Sequence, residues 1–317
     1  MNAVEFENVV KGFGSTTAID HISLKIPTGG AIGVVGPNGA GKSTFFSLIA
    51  GFIRPNSGDI RIFGLPAGDP QLKQRVSILP QDAHFQKHVS LRRQLQLLAQ
   101  LQGSPAHQAA GIAEEVLKFL GIAEKGDVKP SALSFGMYKR ALLAQTLFGQ
   151  PQLVLLDEPT AGIDSANAQA IHAVIRVKSR KSTFLISSHN LRDIENLCDA
   201  IIILKSGRVV HQSNLEDLVE RESTLTVGLP QALPADVMAR LRDLDDVKEI
   251  TTSGEGDYRI VIRFNDQAQR PIEIDVLQEL FRAGIGYRDM CRGTSLADRV
   301  REMTGKSTLP GTSPSSS

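Results

Sequence analysis

Glycine is concentrated around a single lysine in the stretch VVGPNGAGKST. Gly36, Gly41, Lys42 and Ser43 fit the spacing G-x-x-x-x-G-K-[ST], in which successive backbone N–H groups point inward and bind an anion. Glycine suits such a loop because Cβ atoms would block the approach of phosphates. A helix predicted over 42–50 adds the positive end of its dipole. The pattern predicts a nucleotide-phosphate site rather than a glycine-rich turn with a surface lysine.

The polar residues of this loop have separate expected roles. Lys42 is expected to reach the β- and γ-phosphates, Ser43 to ligate magnesium and Thr44 to bind the α-phosphate. The residues expected to contact the nucleotide through this loop are Gly36, Pro37, Asn38, Gly39, Ala40, Gly41, Lys42, Ser43 and Thr44.

Two further predicted strands end in polar side chains. The run LVLL over 153–156 is followed by Asp157 and Glu158, and TFLIS over 183–187 leads to His189. Continuous aliphatic runs are typical of parallel strands, and ligands bind at the carboxyl ends of such strands. We expect Asp157 to hold the metal through water, Glu158 to polarise the attacking water and His189 to donate to a γ-phosphate. The alternatives are a plain polar strand exit and a structural histidine.

A second anion-binding surface is predicted in LSFGMYKR, residues 133–140. Ser134 is expected to cap a helix that runs to Gly149, with Pro151 just beyond its end. A helix N-terminus that begins with Ser and Gly attracts anions. Because the loop around Lys42 already binds one nucleotide, a second phosphate-binding surface implies that two chains pair.

The first 220 residues alternate short apolar runs with helical periodicity, which is typical of an α/β domain with a largely parallel sheet. The strand pattern is interrupted by a predicted helical insertion over about 82–132, within a domain of residues 1–222. A hairpin is predicted over 200–212. The insertion is indicated by periodic apolar residues with expected caps, which are Ser90, Leu91, Leu95, Leu98, Ile112, Val116, Leu120 and Gly121.

The remaining sequence predicts a second domain over 223–305 with the element order βαββαβ of a ferredoxin-like fold, plus a terminal helix. Its helices are expected near 234–243, 271–283 and 295–303. One apolar stripe is expected on the second of these helices, formed by Ile272, Val276, Leu277, Leu280 and Phe281. A disordered tail is expected over 306–317, where there is nothing apolar to bury.

Composition narrows the possible functions. The chain has 317 residues, 35 basic and 34 acidic, so its net charge of +1 argues against binding nucleic acid by bulk electrostatics. Cys198 and Cys291 have no metal-ligand spacing and are expected to be reduced thiols. The start lacks the pattern of a signal peptide, and no apolar run approaches about 18 residues. Any membrane role is therefore expected to come through a partner.

Six motifs together resemble the nucleotide-binding subunit of ATP-binding cassette transporters, over about residues 4–220. These are the Walker A loop GPNGAGKST, the Q-loop ILPQ, the signature LSFGM, the Walker B strand LVLLDE, the D-loop AGID and the switch SSH, in family order and spacing. The resemblance implies that Phe13 stacks on adenine, with a buried core phenylalanine as the alternative. It also implies that Gln81 links magnesium to the membrane partner and that Asp164 of the D-loop contributes to the nucleotide site.

The signature differs from the family's usual LSGGQ. Phe135 replaces the first glycine and Met137 replaces the glutamine, whereas Ser134 and Gly136, the expected γ-phosphate contacts, are retained. Binding to a nucleotide held by a second chain is therefore expected to survive. Met137 resembles exporter-type cassettes that pair with separate membrane subunits.

The resemblance implies a P-loop NTPase cassette, with a mixed sheet and a helical subdomain, followed by a smaller α+β ferredoxin-like domain. Two cassettes would sandwich two ATP molecules with Mg²⁺, and hydrolysis would energise an exporter. The implied partners are an integral membrane permease and a second copy or a related cassette, at the cytoplasmic face of the inner membrane, with no nucleic acid.

Two alternative functions stay open. A soluble cassette that acts on ribosomes or DNA usually has two cassettes in one chain or long coiled coils, and the sequence contains neither. A regulatory cassette that does not hydrolyse ATP is suggested by the altered signature, but Glu158 and His189 argue against it.

Replacing the lysine of the glycine-rich loop tests the predicted nucleotide-phosphate site. Lys42→Ala is expected to abolish nucleotide binding, because the substitution removes the positive charge expected at the β- and γ-phosphates. An equilibrium titration with ATP measures this directly. Wild-type affinity in the variant would refute the phosphate site.

Overall fold

A computed structural model describes residues 1–218, 224–252, 258–265, 271–293 and 296–305. The chain divides into two units, Met1–Ser213 and Asn214–Ser317. The domain boundary predicted between residues 222 and 223 and the tail predicted over 306–317 both lie outside the described residues. Within the described part of the chain, every helix is too short or too polar to cross a bilayer.

The first unit combines two sheets with six α-helices. Its strands are β1 (Asn2–Phe13), β2 (Thr16–Pro27), β3 (Ala31–Val35), β4 (Ser57–Ile62), β5 (Leu65–Pro66), β6 (Val76–Leu79), β7 (Leu153–Asp157), β8 (Thr183–Ser187), β9 (Ala200–Lys205) and β10 (Arg208–Asn214), which runs one residue into the second unit. Its helices are α1 (Lys42–Ile49), α2 (Leu91–Leu101), α3 (Ala106–Phe119), α4 (Phe135–Ala144), α5 (Ser165–Ser179) and α6 (Leu191–Leu197).

The larger sheet is built around parallel strands. Its order is β10-β9-β3-β8-β7-β6, and β3 runs parallel to β8 and β9, while β7 runs parallel to β6 and β8. The register pairs Ser187 with Val34 on one side and with Asp157 on the other. Because these strands point the same way, the loops that follow β3, β7 and β8 meet at one edge of the sheet.

The smaller sheet is antiparallel and has the order β2-β1-β4-β5. Helix α1 packs between the two sheets, and one buried core draws on β1, β2, β3, β4, β7, β8 and β9 as well as on α1. The rings of Phe6 on β1 and Phe45 on α1 stack with centroids 4.9 Å apart. This packing fixes the N-terminal end of α1, which directly follows the glycine-rich loop.

The predicted hairpin is formed by β9 and β10, which are neighbours in the sheet. Ser206 and Gly207 at its turn both have positive φ, as a type I′ turn requires.

The predicted caps of the helical insertion are confirmed, and its buried face includes residues that the apolar spacing did not indicate. Ser90 accepts a hydrogen bond from the backbone N–H of Arg93, and Gly121 follows α3 with a φ of 65°. Ile112 and Val116, whose spacing indicated the helix, are only half-buried. The buried face of α3 consists of Ala109, Ala113 and Leu117, and Ala99 rather than Leu98 is buried on α2. Small side chains at this contact let α2 and α3 approach closely.

The helix that begins after Ser134 is shorter than expected. Its cap is confirmed, since the Ser134 hydroxyl accepts a hydrogen bond from the backbone N–H of Met137. Helix α4 ends at Ala144, however, and the chain continues in turns to Gly149, which has a φ of 73°. The predicted extension of this helix to Gly149 is therefore wrong, because residues 145–149 form turns and not a continuous α-helix.

The second unit has the predicted ferredoxin-like order. Its elements are α7 (Leu215–Leu218), β11 (Thr224–Gly228), α8 (Ala235–Arg242), β12 (Val247–Thr252), β13 (Arg259–Phe264), α9 (Ile272–Arg282), β14 (Asp289–Arg292) and α10 (Leu296–Thr304). The sheet order is β12-β13-β11-β14, and every pair is antiparallel. Together with the cassette sheets, this confirms the expected fold class.

The apolar stripe predicted on α9 is confirmed at three of its five positions, and Leu277 is only half-buried. Ile272, Val276 and Leu280 are buried, but the side chain of Phe281 is 86% exposed. Glu279 occupies the buried face instead, where its carboxylate accepts hydrogen bonds from Arg240 of α8 and from Arg282. At 3.6 residues per turn, Phe281 lies on the face of α9 opposite Ile272, so the helical spacing itself places it outward.

Adjacent residues on α9 test this orientation. Leu280→Ala is expected to lower the free energy of unfolding by about 2–5 kcal/mol, because it leaves a cavity in the core. Phe281→Ala is the matched control and is expected to change it by less than about 0.5 kcal/mol. Urea denaturation of the full chain, followed by circular dichroism, measures both. A larger loss for Phe281→Ala than for Leu280→Ala would contradict the orientation.

Candidate nucleotide-binding site

The loop after β3 lies so close to two neighbouring strands that side chains do not fit at two of its positions. A Cβ atom on Gly36 would lie 2.3 Å from the carbonyl oxygen of Leu204, and one on Gly41 would lie 2.4 Å from that of Ala18. Gly41 also has a φ of 101°, in the region that favours glycine. The loop is therefore fixed against both sheets, and the positive φ of Gly39 and Gly41 suits an anion-binding nest, which fits a nucleotide phosphate chain.

Lys42 lies across this loop. Its Nζ donates a hydrogen bond of 2.8 Å to the carbonyl oxygen of Gly36 and lies 3.4 Å from that of Pro37. Burial lowers the pKa of Lys42, while the nearby carboxylates of Glu158 and Asp157 act in the opposite direction. The lysine is thus a partly desolvated cation that faces two acidic groups across the edge of the sheet.

The acidic pair at the end of β7 is held in place by the end of β8. The hydroxyl of Ser187 donates to Asp157 Oδ1, and the backbone N–H of Glu158 donates to the Ser187 hydroxyl at 2.9 Å. Glu158 has a φ of 53°, which is uncommon for a residue other than glycine and is often found at functional sites. Sequence reasoning did not single out Ser187, although a polar residue that closes the apolar run TFLIS was the available signal.

The switch histidine contacts the second acidic residue directly. His189 Nδ1 lies 2.6 Å from Glu158 Oε2, so the imidazole N–H donates to the carboxylate. The Glu158 side chain is buried, whereas that of His189 is 51% exposed. The structure therefore brings together Lys42, Asp157, Glu158 and His189 at one edge of the sheet, as the strand ends predicted.

The other predicted contacts lie around this edge with different exposure. Ser43 and Gln81 are exposed, and Gln81 follows β6, the strand beside β7. Phe13 ends β1 with its side chain 52% exposed and the Lys11 Nζ 5.1 Å from the ring centroid. The alternative of a buried core phenylalanine was wrong. The remaining loop residues Pro37, Asn38, Gly39, Ala40 and Thr44 range from buried to exposed.

The signature segment packs against the start of α5. Gly136 is buried, and a Cβ atom there would lie 2.2 Å from Cγ of Asn167. Asn167 is in turn held by Asp164, whose carboxylate accepts hydrogen bonds from its backbone N–H and its side-chain amide. These hydrogen bonds, the backbone one first, lower the pKa of Asp164. Asn167 was not singled out from the sequence; it fixes the signature helix against the D-loop.

Phe135 and Lys139 extend this contact toward the acidic pair. Phe135 is half exposed and lies against Gly162, and Lys139 Nζ lies 5.8 Å from its ring centroid. Burial lowers the pKa of Lys139, and the charge of Glu158 opposes that effect. A second cation, which sequence reasoning missed, therefore acts on Glu158 from α4.

Residues 19–161 match the family described as ABC transporter. The Nod factor export ATP-binding protein I of Burkholderia lata is 31% identical over 222 residues, which are 69% of this chain and 73% of that protein. The chain belongs to the ABC transporter family. It is an ATP-binding transporter subunit and an ATPase, which confirms the family and the enzyme class expected from the six motifs.

Two further comparisons extend this result. The Nod factor export ATP-binding protein I of Rhizobium meliloti is 28% identical over 312 residues, covering 96% of this chain and 88% of that protein, so the similarity includes the second unit. The solved structure of cbiO1 from Clostridium perfringens, part of the ABC transporter complex cbiONQ, is 27% identical. It has a TM-score of 0.61 and covers 68% of this chain and 90% of that one.

Two glycines in helices test the packing of the signature segment. Gly136→Ala is expected to lower ATP turnover at least about tenfold, because its Cβ atom would displace Asn167 and the start of α4. Gly111→Ala on α3 is the matched control, since its Cβ atom would meet no atom within 4 Å. The control is expected to stabilise the helix by up to about 1 kcal/mol and to leave turnover unchanged. Turnover assays and thermal unfolding measure both; normal turnover in Gly136→Ala would contradict the packing.

Proposed function

We propose that this ABC ATPase hydrolyses ATP between two paired cassettes and so drives an exporter. The observation that carries the catalytic assignment is the short contact between His189 and the buried Glu158, at the sheet edge that also holds Asp157 and Lys42. In this arrangement Glu158 can activate water and Asp157 can face a metal. Lys42 and Lys139 can offset the negative charge of a phosphate chain.

ATP would be bound by the loop after β3 and by Phe13. Lys42 would exchange its contact with the Gly36 carbonyl for the β- and γ-phosphates, while Thr44 would bind the α-phosphate. The half-exposed ring of Phe13 is available for stacking on adenine, which is worth about 1–3 kcal/mol for nucleic-acid bases.

Mg²⁺ would be held by Ser43, Gln81 and Asp157. All three offer oxygen atoms, which are the ligands that this hard cation prefers together with water and phosphate. Ser187 occupies one oxygen of Asp157, which leaves the other to reach the metal through water. Bound there, Mg²⁺ would neutralise charge on the phosphates.

Hydrolysis would require His189 to exchange its hydrogen-bond partner. Glu158 would polarise the attacking water, and His189 would turn from Glu158 to the γ-phosphate. This reaction depends on positioning and on charge stabilisation and needs no covalent intermediate. Gln81 would report the state of the phosphate to the membrane partner.

The second half of each site would come from another cassette. Ser134 is exposed at the N-terminus of the ten-residue helix α4, so its hydroxyl and the helix dipole can face a γ-phosphate on a second copy or a related cassette. Gly136 lies two residues further along the chain and is linked to Asp164 through Asn167, and both would complete this surface. ATP would thus join the two chains, and loss of the γ-phosphate would release them.

The membrane partner would be an integral permease, and the chain would sit peripherally on the cytoplasmic face of the inner membrane. Support comes from the curated relatives, which are named as export ATP-binding proteins. The net charge of +1 gives no reason to expect nucleic acid as a partner. Co-purification with a membrane protein would separate this function from a soluble cassette, and ATP turnover would separate it from a regulatory one.

The proposed role of Glu158 predicts a trapped dimer. Glu158→Gln is expected to keep ATP binding but to form a stable dimer with ATP and Mg²⁺, because only the activation of water is lost. Glu115→Gln, on the exposed face of α3, is the control and should behave as the wild type. Gel filtration with light scattering measures both, and a Glu158→Gln variant that stays monomeric with bound ATP would contradict the proposal.

A further inference from the structure

A buried polar cluster lies behind the acidic pair and has no part in the chemistry described above. Thr160 follows Glu158 by two residues, Asp193 belongs to α6 and His172 belongs to α5, and all three are more than nine-tenths buried. The Thr160 hydroxyl donates a hydrogen bond of 2.6 Å to Asp193 Oδ2. His172 Nε2 lies 3.3 Å from Asp193 Oδ1, without the geometry of a hydrogen bond.

The cluster keeps Asp193 charged inside the protein. Burial by itself raises the pKa of Asp193, but the side chains of His172 and Thr160 outweigh it and lower the pKa below the ordinary value. A buried carboxylate is costly unless its partners satisfy it, so removal of one partner leaves an uncompensated acceptor. Asp193 is therefore held by a hydrogen bond from Thr160 and by the close approach of His172.

Two hydrogen bonds join the same pair of segments. His189 binds Glu158, and four residues further along, Asp193 binds Thr160. The first bond is half exposed to solvent and the second is buried. Asn190, which caps α6 by accepting a hydrogen bond from the backbone N–H of Arg192, lies between His189 and Asp193 in the sequence.

We propose that Thr160, Asp193 and His172 form a positioning cluster that keeps the Glu158 loop in register with His189 while the bond between Glu158 and His189 is exchanged. This inference rests on the roles proposed above for Glu158 and His189. When His189 turns to the γ-phosphate, the exposed link between the two segments is lost and the buried link remains. Glu158 then keeps its place beside the attacking water.

His172 positions Asp193 from the opposite side. It approaches the carboxylate oxygen that Thr160 does not use, so the carboxylate is held between α5 and the turn after Glu158. The turn itself is closed by backbone hydrogen bonds from Ala161 to Glu158 and from Ile163 to Thr160. A fixed Thr160 side chain therefore fixes the whole turn.

Substitutions of Thr160 test the cluster. Thr160→Val keeps the shape and removes the donor; it is expected to lower kcat for ATP at least tenfold while KM and the ATP dissociation constant stay within threefold. Thr160→Ser restores the hydroxyl and is expected to recover kcat to within threefold of the wild type. Thr160→Cys fills a similar volume with a weaker donor and is expected to fall between them. It provides the same test if the valine variant does not fold.

Asp199→Asn is the structural control. Asp199 lies two residues beyond the end of α6. Its carboxylate accepts a hydrogen bond from the backbone N–H of Ala31, at the end of β3 that is farther from the phosphate loop. It is expected to alter thermal stability without changing kcat. The contrast separates a positioning effect from a general loss of stability.

Several outcomes would overturn the inference. Wild-type kcat in Thr160→Val would do so, as would a parallel fall of kcat and ATP affinity that Thr160→Ser fails to recover. If Glu158→Gln loses turnover while Thr160→Val retains it, this inference alone is wrong. Full turnover in Glu158→Gln would overturn the proposed role of Glu158 and the cluster's role with it.

Discussion

The close approach of the phosphate loop to two strands is the constraint on which the rest of the first unit depends. Gly36 lies against the backbone of Leu204 in the parallel sheet, and Gly41 lies against that of Ala18 in the antiparallel sheet. The loop is therefore fixed at the junction of the two sheets. The stacked rings of Phe6 and Phe45 hold α1 at the same junction, so that the backbone nest and the helix dipole act on one point.

The register of β7 and β8 determines where the charged side chains around this loop lie. Asp157 pairs with Ser187 across the ladder, which places Glu158 and His189 together at the ends of adjacent strands. Lysines from α1 and α4 oppose these carboxylates, and both lysines are partly desolvated. A site with buried acids and cations can stabilise the charge that moves during phosphoryl transfer, because little solvent has to reorganise.

Local spacing was enough to predict that Lys42, Glu158 and His189 meet at one edge of the sheet, since a strand exit or a helix cap depends on neighbours in the sequence. Ser90 and Ser134 cap their helices as their positions indicate. Contacts between distant elements were not predictable in this way. The hydrogen bond between Arg240 and Glu279 joins two helices of the second unit, and the cluster behind Glu158 joins residues from a turn and two helices. Periodicity within a single helix carries no information on such pairs.

A cryo-EM structure of the ATP- and Mg²⁺-loaded protein tests the central claim most directly. The account predicts that Lys42 Nζ leaves the carbonyl of Gly36 and binds the β- and γ-phosphates within the loop. Ser134 of a second cassette would contact the same γ-phosphate from the opposite side. A nucleotide bound elsewhere, with Lys42 still hydrogen-bonded to Gly36, would contradict the account.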